Sequence, residues 1–109
     1  MADYVQVTTA TETQEQALEL ARAITEERLA ATAQIVGPIT ATFWHLEKFG
    51  QGEEWQVIFK TTKDRYGELE SYLYRNHPWS NPEIVATPIV LGSADYLRWI
   101  AQTTTRGSD

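Results

Sequence analysis

Two histidines and one glutamate are the residues of this sequence best suited to bind a metal ion. His77 opens the segment His77-Pro78-Trp79, Glu83 follows shortly after it, and His45 lies earlier in a segment that contains glycines. A neutral imidazole is a good ligand for copper and zinc, and a carboxylate can complete such a site. These residue types therefore make His77, Glu83 and His45 candidate metal ligands.

Each of these three residues also has an ordinary structural interpretation. His77 precedes a proline, where it would cap the end of a helix and favour the helix dipole as a cation. Glu83 would form an ion pair with Lys60 or with an arginine of a neighbouring chain, and His45 would lie with Glu47 in a solvated turn. The sequence has no His-x-x-x-His, Glu-x-x-His or Asp-rich segment, so it does not predict a tight metal site.

A second set of residues is suited to bind a small anion. Lys60 and Arg65 would pair with the negative charge of such a ligand, and Trp79 would lie beside it. Catalytic chemistry has less support, because none of the serines lies in a nucleophile elbow and there is no GxGxxG or Walker motif. The sequence therefore predicts a protein that is not an enzyme.

The composition limits the partners of the chain. Its 109 residues include 9 Lys and Arg against 15 Asp and Glu, which gives a net charge of -6. This acidity argues against nucleic acid and against anionic membranes as partners. There is no cysteine, so disulfides and thiolate sites are excluded. The acidic start and the lack of a long apolar run predict a cytoplasmic protein with no signal peptide and no membrane span.

The pattern of apolar residues predicts seven elements in the order strand, helix, strand, strand, helix, strand, helix. The predicted strands cover residues 4–9, 32–44, 54–62 and 83–90, and the predicted helices cover residues 13–29 and 63–76, with a short last helix capped by Ser93. The N-cap of the first helix is Thr11 or Thr13. We expect one domain over residues 1–102 and a polar tail over residues 103–109.

This order predicts an α+β fold, the ferredoxin-like plait, with an antiparallel sheet of order 4-1-3-2. In that topology the hairpin turn, the end of the second helix and the start of the fourth strand lie at one end of the sheet. His45, His77, Trp79 and Glu83 are therefore expected to share that end.

The hairpin between the second and third strands is predicted to be long. A strand over residues 32–44 would reach about 43 Å at ~3.3 Å per residue, whereas the first helix covers about 25 Å. Even with a bend at Gly37-Pro38 and a turn over residues 45–53, the hairpin extends beyond its helices. It carries Phe43, Trp44 and Trp55, and exposed aromatic residues in one place usually mark an interface, so we expect self-association.

Several segments, in order along nearly the whole chain, resemble the CutA divalent-cation tolerance family. The resemblance implies a trimeric protein, similar in assembly to the nitrogen-regulatory PII proteins, with a link to metal-ion tolerance and to copper. A PII-like regulatory module that binds a small anionic metabolite in the cleft between subunits is the alternative. The segments are Glu26-Glu27-Arg28-Leu29-Ala30-Ala31, Lys60-Thr61-Thr62, His77-Pro78-Trp79, Pro82-Glu83-Ile84 and Tyr96-Leu97-Arg98-Trp99-Ile100.

The sequence departs from that family pattern at two positions. Family members often have a cysteine where this chain has Thr32, and a tyrosine where it has Trp79. A copper site here must use imidazole, carboxylate and backbone oxygen, which favour Cu(II) over Cu(I). We therefore expect no required cofactor and weak, pH-dependent binding of Cu(II) or another divalent cation, with His77 more involved than His45.

Overall fold

The fold follows the predicted order of elements. The computed structural model describes residues 3–105. All four strands are antiparallel and form one sheet of order β2-β3-β1-β4. The α+β class, the ferredoxin-like plait and the strand order are therefore confirmed. The elements are β1 (Tyr4–Thr11), α1 (Gln14–Glu26), β2 (Thr32–His45), β3 (Lys48–Thr62), α2 (Lys63–Asn76), β4 (Val85–Pro88) and α3 (Ala94–Thr103).

The start of α1 is fixed by a capping box. The Thr13 hydroxyl accepts a hydrogen bond from the Gln16 backbone N–H at 3.2 Å, and the Gln16 side-chain oxygen accepts one from the Thr13 N–H at 3.3 Å. These two bonds satisfy donors that the first turn of a helix leaves open. Thr11 belongs instead to β1, where it is buried and donates its hydroxyl to the Thr13 carbonyl. Thr13 is therefore the N-cap.

The end of α1 comes earlier than predicted. Arg28 has φ 60° and donates its N–H to the Thr25 carbonyl, while the Leu29 N–H donates to the Ile24 carbonyl. These are the two bonds of a Schellman motif, in which glycine usually takes the left-handed position. Because Arg28 occupies that position, the sequence contains no glycine that marks the helix end, and the prediction of residue 29 was wrong.

The hydrophobic core lies between one face of the sheet and the helices α1 and α2. Val7, Val57 and Phe59 are fully buried on that face, and Leu69 and Leu73 of α2 pack on them. Successive side chains of a strand point to opposite faces, so the other face carries the residues between them. The core cluster consists of Val7, Ala17, Leu20, Ala21, Ile24, Leu29, Ala30, Val57, Phe59, Leu69 and Leu73.

The hairpin of β2 and β3 extends far beyond the rest of the sheet. The two strands have 14 and 15 residues, and β1 pairs with β3 only from Trp55 to Thr62. Residues 39–54, which we call the hairpin arm, are therefore two-stranded, and the molecule measures 45 × 27 × 21 Å. The register shifts between Val36 and Ile39, at Gly37-Pro38. The long hairpin and its bend are thus confirmed.

The turn of the hairpin is shorter than predicted. His45 pairs with Lys48, so only Leu46 and Glu47 form the turn, with φ 51° and 64°. Two positive φ values in a two-residue loop are typical of a type I′ turn, which favours Asn-Gly. Neither residue is of that type, and the predicted turn over residues 45–53 was therefore too long.

Gly50 and Gly52, which supported the longer turn, lie within β3 and make room for an aromatic ring. A Cβ atom at Gly50 would lie 2.6 Å from Phe43 Cε1, and one at Gly52 would lie 3.8 Å from Phe43 Cε2. The Phe43 ring therefore covers both glycines from the neighbouring strand. Glycine in a strand interior often marks such a close approach.

Strand β4 is shorter than the predicted strand over residues 83–90, and helix α3 runs past the predicted end of the domain at residue 102. Strand β4 is short and lies at the sheet edge, where Pro88 is tolerated. Ser93 caps α3 as predicted, and its hydroxyl accepts from the Tyr96 N–H at 3.3 Å. Helix α3 includes Thr103, and the buried Thr104 hydroxyl donates to the Ile100 carbonyl, so a polar tail starts later than residue 103. Residues 106–109 of that predicted tail lie outside the described residues.

Within residues 3–105, no helix has both the length and the apolar character needed to cross a membrane.

Candidate functional site

The residues expected at one end of the sheet do lie together. His45 and Trp79 line a groove of about 810 Å³ between the hairpin arm and the segment that follows α2. The rings of His77 and Trp79 are 5.2 Å apart, and the Glu83 carboxyl interacts with that of Glu54, which also lines the groove. We call this cavity the end groove.

His77 is held by hydrogen bonds at both ring nitrogens. Its Nε2 lies 2.9 Å from the Ala10 carbonyl, and its Nδ1 accepts the Trp79 backbone N–H at 3.0 Å. Only a neutral ring with the proton on Nε2 satisfies both partners, because the carbonyl must accept and Nδ1 must accept as well. The His77 backbone N–H also donates to the Leu73 carbonyl and caps α2. These contacts fit the structural interpretation of His77.

The environment of His77 also favours its neutral form. Burial lowers the pKa of the imidazole, and the hydrogen bond to the Ala10 carbonyl opposes this in part. A metal ion needs a nitrogen lone pair, and the only one on this ring is used by Trp79. Metal binding at His77 would therefore require the loss of the Trp79 hydrogen bond.

His45 is the more accessible of the two imidazoles. It is exposed at the end of β2 and lines the end groove. Glu47, expected beside it on a strand or in a solvated turn, lies in the two-residue turn. The imidazole of His45 is thus available to a ligand in the groove, whereas a strand-based pair with Glu47 is not formed.

Glu83 has another carboxylate as its electrostatic neighbour. Burial raises the pKa of the Glu83 carboxyl, and the negative charge of Glu54 raises it further. The expected ion pair with Lys60 is not formed within the chain, because Lys60 Nζ donates to Gln34 Oε1 at 2.8 Å. Glu83 is nevertheless exposed, so its carboxyl stays in contact with solvent.

The carboxylates and imidazoles of one chain do not converge into a chelating site. Among residues 3–105, no group of three or more His, Asp or Glu side chains is placed to hold a metal ion. Within the described residues of one chain, a metal ion would therefore have at most two of these side chains as ligands.

Two of the three candidate residues for anion binding, Arg65 and Trp79, lie at opposite ends of α2. Arg65 is in the first turn of α2, largely buried, and donates to Glu68 Oε1 at 2.7 Å and to the Arg28 carbonyl at 3.3 Å. Trp79 follows the other end of α2, whose 14 residues span about 21 Å. An anion site built from Lys60, Arg65 and Trp79 would therefore need a neighbouring chain to bring them together.

Two of the three predicted interface aromatics are exposed on the hairpin arm. Trp44 is 74% exposed and Phe43 41%. Trp55 is half-buried, packs against the core cluster and covers Gly37, where a Cβ atom would lie 2.6 Å from the Trp55 ring. The prediction that Trp55 lies on the exposed overhang was therefore wrong, because the glycine of the bulge accommodates its ring.

The sequence analysis missed other residues of this region. Leu46 is 82% and Phe49 63% exposed on the arm, and the Phe49 ring meets Trp44 edge-on at 5.9 Å. They were missed because residues 45–53 were interpreted as a loop. Alternation along β3 from Lys48 is the signal that could have found Phe49.

The end groove is acidic. Glu12 from the link between β1 and α1 lines it together with Glu53 and Glu54 of β3. No lysine or arginine is among the residues that line it. In the described part of the chain, none of these three carboxylates forms an ion pair with a lysine or arginine.

The fold and this arrangement define a class of protein: a ferredoxin-like plait with a protruding hairpin arm and a groove along that arm. The family model described as CutA1 divalent ion tolerance protein matches residues 5–103. The chain belongs to the CutA1 divalent ion tolerance family, as the sequence resemblance predicted.

Individual relatives agree with this assignment. The divalent-cation tolerance protein CutA of Thermus thermophilus is 35% identical over 104 residues, which is 95% of this chain and 99% of that protein. The protein of the same name from Escherichia coli is 34% identical over 84 residues, 77% of this chain and 75% of that protein. The crystal structure of CutA1 from Oryza sativa superposes with a TM-score of 0.92 at 30% identity, covering 96% of each chain.

Proposed function

We propose that this chain is a non-enzymatic protein that acts as a homotrimer in the tolerance of divalent metal ions and binds Cu(II) weakly. The observation that carries this proposal is the match to the divalent ion tolerance family over residues 5–103. The bacterial relatives are named for divalent-cation tolerance, and their sequences align with most of this chain. The groove adds carboxylates and an accessible imidazole at one place on the surface.

Self-association is supported by the hairpin arm. Its apolar side chains Trp44, Leu46 and Phe49 are mostly exposed in a single chain. Contiguous apolar surface of this kind usually marks a protein interface. The number of three subunits comes from the resemblance to the family.

Weak Cu(II) binding is supported by the types of side chain available. Imidazole and carboxylate favour Cu(II), and without cysteine there is no thiolate to favour Cu(I). Because both nitrogens of His77 are engaged, we now assign the larger contribution to His45, the reverse of the order expected from the sequence. Calorimetric titration should therefore show that His45→Ala weakens Cu(II) binding more than His77→Ala. Equal binding by the parent and both variants would contradict a role for imidazole.

Growth of cells that lack their own relative of this chain tests the proposed role. Supplying the parent chain should restore growth in medium with raised copper or zinc, and the empty vector should not. A chain with Trp44→Ser and Phe49→Ser is the matched control for assembly, and it should restore growth less well at equal protein level. If the parent chain leaves metal sensitivity unchanged while it is present at normal level, the proposed role is wrong.

A further inference from the structure

We draw no further inference here: the strongest candidate, the exposed apolar surface formed by Val85 on β4 at the sheet edge and by Val90 and Leu91 in the segment that leads to α3, carries none because nothing in the structure shows what covers it.

Discussion

At the scale of single residues, His77 shows how one side chain can be read in two ways. The sequence places it in a segment that suits a metal ligand, but the fold uses its backbone N–H and both ring nitrogens. The Ala10 carbonyl that holds Nε2 is distant in sequence, whereas the Trp79 N–H that holds Nδ1 flanks His77. Local sequence could not predict the Ala10 contact, because it depends on how β1 packs beside the end of α2.

This arrangement predicts a dependence of stability on pH. The pKa of His77 in the folded chain is below its ordinary value of 6.5, so the unfolded chain binds more protons. The contribution of His77 is therefore fully present above pH 6.5 and is lost as the pH falls through the folded-state pKa. Urea denaturation of the parent should show this loss between pH 7 and pH 5.

The His77→Gln variant should show a smaller loss over that pH range, and it should be less stable than the parent at pH 7. His45→Ala is the matched control for the loss of an imidazole, since His45 is exposed, and it should be as stable as the parent at pH 7. If His77→Gln and the parent have the same pH dependence, the neutral ring does not support the fold.

Thr9 leads to a second prediction at this scale. Its side chain is fully buried, and its hydroxyl has no hydrogen-bond partner among the described residues. A buried hydroxyl without a partner costs about 1–3 kcal/mol, so Thr9→Val should stabilise the fold by roughly 1 kcal/mol. The melting temperature measures this change. Thr11→Val is the control. It should destabilise the fold, because the Thr11 hydroxyl donates to the Thr13 carbonyl. A stabilising Thr11→Val or a destabilising Thr9→Val would contradict this explanation.

At the scale of elements, the sequence predicted what periodic patterns determine and missed what a single backbone conformation determines. The order of seven elements and the bounds of α2 follow from apolar periodicity and from the proline after His77. The end of α1 depends on the positive φ of Arg28, and the hairpin turn depends on those of Leu46 and Glu47. These residues are not the glycine or asparagine that usually mark such positions.

The positive φ of Glu47 in the hairpin turn predicts that glycine would be more stable at this position. A residue with a side chain in the left-handed region costs about 1 kcal/mol relative to glycine. Glu47→Gly should therefore stabilise the chain by up to about 1 kcal/mol. Gly50→Ala is the contrasting variant, and it should destabilise the arm because its Cβ would meet the Phe43 ring. Urea denaturation midpoints compare the two, and a destabilising Glu47→Gly would show that Glu47 has a contact that the turn geometry does not explain.

At the scale of the whole molecule, which is 45 Å long, a hairpin arm protrudes from a small α+β body and carries much of the exposed apolar surface. The sequence predicted this overhang from strand and helix lengths alone. It predicted from topology that His45 and Trp79 share one end of the sheet, because the hairpin turn and the end of α2 lie there. It did not predict the groove's acidity, since Glu12 is brought to Glu53 and Glu54 only by the pairing of β1 with β3.

The central claim at this scale is that the exposed arm serves the assembly of a homotrimer. Light scattering after size exclusion, at micromolar protein concentration, tests it most directly. We predict a mass of about three times 12.4 kDa for the parent chain. A smaller mass is expected for Trp44→Ser combined with Phe49→Ser, which removes the exposed rings of the arm. A parent chain that elutes with the mass of a single 12.4 kDa protomer would contradict the claim.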